Sequence, residues 1–133
     1  MNEQVLIVDD DERILRTFAR NLRLAGYQTL TALGGKEALE IYARERPSIT
    51  IVDTRLPHID GFSVLQTIRE SNPDAEVILT TSHDDKEIIL AALRAGVSDF
   101  ISKPINQLEL EAALRRAKER LRLKRELTTT AQA

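Results

Sequence analysis

Four short apolar runs, each breaking into polar residues, limit what this chain can fold into. Val5-Leu6-Ile7-Val8 runs into Asp9-Asp10-Asp11, and Ile49-Thr50-Ile51-Val52 into Asp53. Glu76-Val77-Ile78-Leu79 ends in Thr80-Thr81-Ser82, and Phe100-Ile101-Ser102 in Lys103-Pro104. The runs are short, rich in β-branched residues and not alternating. That is the pattern of strands covered on both faces.

Helical segments separate them. Glu12 to Ala25 places Ile14, Leu15, Phe18, Leu22 and Ala25 at helical spacing before Gly26. Tyr27 to Ala32 reads as a further strand. Lys36 to Glu45 reads as a helix with Ala38, Leu39 and Tyr42 inward, ended by Pro47. A third helix runs from about Phe62 to Glu70 on Val64, Leu65 and Ile68. Pro57 and Asp60-Gly61 keep the chain between Asp53 and that helix irregular. Asp84-Asp85 caps a helix to Ala95, stopped by Gly96, and Val97 to Ser102 is the last strand. A long helix then runs from about Asn106 to about Leu127, with Thr128 to Ala133 frayed. Five β-then-α units predict a parallel sheet with two helices on one face and three on the other. In such a sheet ligands bind at the carboxyl ends of the strands.

At 133 residues the chain is one domain by size. No apolar run approaches the ~20 residues of a membrane span. The start, Met-Asn-Glu-Gln, lacks a basic segment, so no signal peptide is expected. Cysteine is absent, which excludes disulfide and thiolate chemistry and is compatible with a cytoplasmic location. The net charge of −2 is unevenly spread. Residues 115–127 hold seven Lys/Arg against Glu119 and Glu126, while residues 1–114 hold 12 basic and 19 acidic side chains. An acidic body suits a cation rather than a nucleic acid, and the basic tail reads as the solvated face of a helix.

The strand ends bring chemistry together. Asp9, Asp10 and Asp53 converge. Packed carboxylates raise one another's pKa unless a cation neutralises them, and all-oxygen ligation points to Mg2+. Taken alone, Asp9-Asp10-Asp11 reads equally as helix capping, which needs one Asp, such as Asp11. Lys103, held before Pro104, would stand over the carboxylates as a point charge for an anion. Thr81 would supply a hydroxyl at the end of the strand beside that of Asp53. A carboxylate nucleophile, a divalent ion, a hydroxyl and a lysine form a phosphoryl-transfer site. Neither GxxxxGK[ST] nor GxGxxG occurs, so the phosphoryl group must arrive on something other than a cradled nucleotide.

At this point the chain resembles the receiver domains of two-component response regulators, over about residues 4 to 120. The resemblance rests on five motifs in order: Asp9-Asp10; Asp53-x-x-Leu56-Pro57-x-x-Asp60-Gly61; Thr81-Ser82; Phe100; and Lys103-Pro104. It implies a flavodoxin-like (βα)5 doubly wound parallel sheet of strand order 2-1-3-4-5. Residues 1–120 would form the receiver domain, and residues 121–133 a helical extension toward a missing output domain. Asp53 would be the phosphoacceptor, taking the group from a phosphohistidine of a sensor histidine kinase or phosphotransfer protein. Asp10 and Asp53 would ligate Mg2+ directly, Asp9 mostly through water, and the backbone carbonyl of Arg55 would complete the set. An alternative register pairs Asp10 with Asp11. Thr81 and Lys103 would hold phosphoryl oxygens. Thr81 and Phe100 would form a switch pair acting on the face of the fourth helix, fifth strand and last helix. Arg55 and His83, two residues after Asp53 and Thr81, occupy positions that tune hydrolysis.

The departures are Leu56, where the family usually has Met, and Ala113, where many winged-helix regulators carry a basic residue. Two rivals remain. An aspartate-nucleophile phosphatase needs a second Asp where this chain has Arg55. A degenerate receiver, acting as a phosphorylation-independent interaction module, usually lacks several of the five site residues. The chain is thus expected to act only on its own phosphoryl group, without direct contact to nucleic acid or membrane. The last helix, with Leu110, Leu114, Ala117 and Leu121 on one stripe and Leu123 and Leu127 outside it, is expected to project from about Arg116. A homodimer would form through that helix or through the switch face.

Overall fold

The computed structural model describes residues 3–82 and 86–132, the last four of these as backbone only. Elements alternate strictly: β1 (Gln4–Val8), α1 (Glu12–Leu24), β2 (Gln28–Ala32), α2 (Gly35–Glu45), β3 (Ile49–Asp53), α3 (Gly61–Ser71), β4 (Glu76–Thr81), α4 (Lys86–Arg94), β5 (Asp99–Ser102) and α5 (Gln107–Gln132). All strand pairs are parallel, in the order β2-β1-β3-β4-β5. This is the flavodoxin-like order expected above.

The pleat sends alternate residues to opposite faces, so each strand feeds two cores. Val5, Ile7, Ile49, Ile51, Ile78 and Ile101 pack with Leu15, Ala19 and Leu22 of α1 and with Leu110, Leu114 and Leu121 of α5. Leu6, Val8, Val52, Val77 and Leu79 pack with α2, α3 and Ala92 of α4. The expected two-and-three division of helices holds. Among the described residues no helix is long and apolar enough to cross a membrane.

Several local expectations need correction. Ala25 is exposed as the C-cap residue of α1, and Ala19 takes the buried position instead. Ile41 is buried on α2 while Leu39 is only half-buried. Asp60-Gly61 does not simply break structure: Asp60 caps α3 by accepting from Ser63 N at 2.8 Å, and Gly61 is its first residue. β4 extends through Thr81, and β5 starts at Asp99 rather than Val97. The stops at Gly26 and Gly96 stand, both at left-handed φ (100° and 83°) that a side chain resists. Asp84-Asp85 lies outside the described residues.

The largest correction concerns α5. Its backbone stays helical to Gln132, where fraying was expected from Thr128. Nor does it leave the domain at Arg116. Ala117 and Leu121 are buried, and Arg120 and Lys124 form ion pairs with the body of the domain. Sequence spacing counts the apolar stripe but cannot show that charged residues flanking it also find buried partners.

Candidate functional site

The strand order explains where the site lies. From β1 the chain crosses to β2 on one side, and from β3 to β4 on the other. The connections diverge and leave a crevice at the carboxyl ends of β1 and β3. Asp9 follows β1 and Asp53 closes β3, and the two residues are only 3% and 4% exposed. Carboxylates so deeply buried need partners.

Asp53 has two. Its Oδ1 accepts from the backbone N–H of Arg55 at 3.0 Å, and its Oδ2 is ion-paired and hydrogen-bonded to Lys103 Nζ. Lys103 Nζ also lies 3.6 Å from Asp9 Oδ2. A second hydrogen bond, Lys103 N to Thr81 O at 2.9 Å, seats the lysine beside β4, and the Lys103-Pro104 bond is cis. Asp9 Oδ1 accepts from Asp11 N at 2.9 Å. Asp11 itself caps α1, accepting from Arg13 N and Ile14 N. Asp9, exposed Asp10 and Asp53 offer carboxylate oxygens within 4.8 Å of one another, and Asp11 serves the helix.

One lysine faces three carboxylates. Burial pushes the Asp9 carboxyl above the ordinary carboxylate range, and the charges of Asp53 and Asp10 push the same way. The Asp11 N–H and Lys103 oppose this without cancelling it. For Lys103, burial favours the neutral amine, but the Asp53 and Asp9 carboxylates outweigh it and the pKa is raised. A raised acid pKa means that the folded state holds its proton more tightly than the unfolded chain does. Stability is therefore lost as pH rises through and above the normal Asp range near ~4. Asp9→Asn, whose Oδ1 can still accept from Asp11 N, is expected to raise Tm by on the order of 3 °C at pH 7 without added metal. The gain should vanish at acid pH; thermal melts at both pH values check it.

Thr81 is 3% exposed, and its hydroxyl donates only a long 3.4 Å bond to Ser82 O. Phe100 is half-buried against the core that includes Leu79. Arg55 is exposed, and so is His58, which adopts a left-handed φ of 68°. Leu56 is buried in the α2–α3 core. His83 lies outside the described residues.

Sequence reasoning missed the role of Gly61. A Cβ there would stand 2.1 Å from the carbonyl oxygen of Asp53 and 2.9 Å from Thr54 Cα. Gly61 N also donates to Thr54 O at 3.2 Å, and Thr54 N to Thr80 O at 3.0 Å. The first turn of α3 thus lies directly on the backbone that presents Asp53. The Asp60-Gly61 pair was the available signal, but a turn explains it equally well.

The chain is similar to known proteins in sequence and in structure. The family model described as "Response regulator receiver domain" matches residues 5–115. The chain is 35% identical over 113 residues to the "Probable transcriptional regulator ycf27" of Porphyridium aerugineum, covering 85% of this chain and 47% of that protein. It is 32% identical over 130 residues to the "Regulatory protein AtoC" of Escherichia coli (strain K12), covering 98% and 28% respectively. The chain therefore spans about half, or less, of the length of these curated relatives. A crystal structure of a response regulator receiver domain protein from Clostridium thermocellum superposes with a TM-score of 0.87 at 28% identity, over 91% of this chain and 98% of that one.

Proposed function

This chain belongs to the response regulator receiver domain family, and we propose that it accepts a phosphoryl group on Asp53 and relays its arrival to the α4–β5–α5 face. The observation that carries this reading is the setting of Asp53: a buried carboxylate at a strand end, paired with Lys103 and within 4.8 Å of two further carboxylates.

An Asp53 carboxylate oxygen attacks the phosphorus of a partner's phosphohistidine. A P–O bond forms, the P–N bond breaks, and the imidazole departs with the electron pair. Asp53 needs no general base, because a carboxylate oxygen attacks without giving up a proton, and Lys103 beside it orients the group. Lys103 then shifts from the carboxylate to a phosphoryl oxygen as charge develops there.

The donor set fits Mg2+. It is all hard oxygen, and its excess negative charge is larger than one lysine can neutralise. Asp10 and Asp53 would hold the ion directly, Asp9 through water, with the Arg55 carbonyl as a further ligand. Mg2+ supplies charge neutralisation for the transferring group.

After transfer, Thr81 can exchange its weak bond to Ser82 O for a stronger one to a phosphoryl oxygen. This biases a two-state loop, with Phe100 moving inward behind it. Arg55 and His83 tune how long the phosphoryl group lasts. The partners are a sensor histidine kinase or phosphotransfer protein. A second copy binds through the α4–β5–α5 face or through α5, where Leu123 and Leu127 are exposed. The domain acts on its own phosphoryl group and leaves nucleic-acid contacts to other segments of a longer protein. Arg55, standing where an aspartate-nucleophile phosphatase needs its second Asp, disfavours that rival.

The test is intact-protein mass after incubation with acetyl phosphate, with and without Mg2+. We expect one phosphoryl mass, Mg2+-dependent and lost slowly. Continuous turnover of phosphoesters without an adduct would indicate the phosphatase, and no change at all the degenerate module.

A further inference from the structure

At the opposite end of the sheet from Asp53, a chain of charges has no part in the acceptor chemistry. Glu76, the first residue of β4, is 1% exposed. Its Oε1 accepts from Arg120 Nε at 2.7 Å and its Oε2 from Lys124 Nζ at 2.7 Å. Lys124 Nζ also donates to Asp74 O at 3.0 Å. Arg120 Nη2 is buried without a hydrogen bond, 4.0 Å from Asp99 Oδ2, and that same oxygen accepts from Arg116 Nε at 2.8 Å. Arg116, Arg120 and Lys124 are spaced i, i+4, i+8, so they line one side of α5. They alternate with Asp99 of β5 and Glu76 of β4.

Burying a carboxylate is costly, and apolar packing could close this gap more cheaply. What a buried ion pair adds is a defined geometry: Glu76 accepts from two donors one helical turn apart, which admits a single rotation and register of the helix. The apolar stripe of α5 ends at Leu121, yet the helix continues to Gln132. The alignment with AtoC likewise continues over 130 residues, into a protein of which this chain covers 28%. The ladder sits where the helix passes from packed to outgoing.

We infer that Arg116–Asp99–Arg120–Glu76–Lys124 is an output joint: it locks the outgoing half of α5 to the amino ends of β4 and β5 and so sets the direction in which the helix leaves the domain. β4 and β5 are the strands whose other ends carry Thr81 and lead to Lys103, about 17 Å away for a six-residue strand. The joint is a property of the fold and holds whether or not Asp53 accepts a phosphoryl group.

The absence of cysteine makes the test direct. Spin labels are placed on the full chain at Glu45→Cys and Leu127→Cys, both exposed, and their distance distribution is measured in the parent, in Glu76→Gln and in Lys124→Met. The parent should give one narrow distribution, broadened or displaced in both variants. Amides of residues 118–128 should exchange about tenfold faster in Glu76→Gln, as expected for loss of a charged hydrogen bond. Amides of β1 and β3 should keep their protection in Lys124→Met, which leaves Glu76 paired with Arg120. An unchanged distribution in both variants would overturn the joint. So would equal loss of protection in β1 and β3, because the ladder would then serve general stability only.

Discussion

Asp53→Asn will leave the protein unable to take up a phosphoryl group from acetyl phosphate and Mg2+, a complete loss against stoichiometric uptake by the parent. The substitution keeps the size of the side chain and the acceptor for Arg55 N, but removes the charge that Lys103 Nζ meets. An amide oxygen does not attack phosphorus at a useful rate, and as a neutral ligand it holds a divalent ion more weakly than the carboxylate does. The fold should survive, because Lys103 retains Asp9 as a partner at 3.6 Å. Intact mass and a thermal melt on the same sample separate the outcomes. A folded Asn variant that still gains one phosphoryl mass would remove Asp53 from the mechanism.

Gly61→Ala is the second large effect, and its cause is geometric. Its Cβ would lie 2.1 Å from Asp53 O and 2.7 Å from Asp53 C, which are backbone atoms at the end of a central strand. No flexible side chain can yield, so either α3 shifts outward or the Asp53 peptide moves. Overpacking of this kind costs about 3 kcal/mol. A displacement of about 1 Å at the acceptor can slow transfer by ~100-fold. We expect both a lowered denaturation midpoint and slower phosphorylation in the material that remains folded. Gly34→Ala is the matched control: nothing lies within 4 Å of its Cβ, and its φ of −159° is ordinary extended backbone. Equal stabilities for the two variants would contradict the close approach.

The difference between these glycines shows where sequence reading stops. Gly34 and Gly61 each stand beside a helix start and look alike in one dimension. Only the approach of α3 to the end of β3 makes one of them indispensable. The strands and their order of appearance were legible because a strand buried on both faces must be apolar throughout and must stop where its carboxylates begin. Asp9, Asp53, Thr81 and Lys103 were legible for the same reason: each sits at or just beyond a run whose end is visible in the sequence. The sequence named Asp11 as the capping residue but left a register pairing Asp10 with Asp11 open beside that of Asp9 with Asp10. In the fold Asp11 accepts from Arg13 N and Ile14 N, while Asp9 turns toward Lys103.

The course of α5 was misjudged for a related reason. Apolar periodicity reports the stripe that ends at Leu121, and the basic run over residues 115–127 reads as solvated. Yet Arg120 and Lys124 reach a carboxylate more than forty positions away, on the first residue of β4. Local periodicity, which repeats with the backbone, sufficed for the order of the elements, the two faces of the sheet and the polar side chains at the strand ends. Tertiary structure alone decided which carboxylates come within reach of Lys103, how closely Gly61 approaches the Asp53 backbone, and how far the last helix stays docked. Those outcomes depend on distances between residues far apart in sequence, and no repeat along the chain encodes such distances.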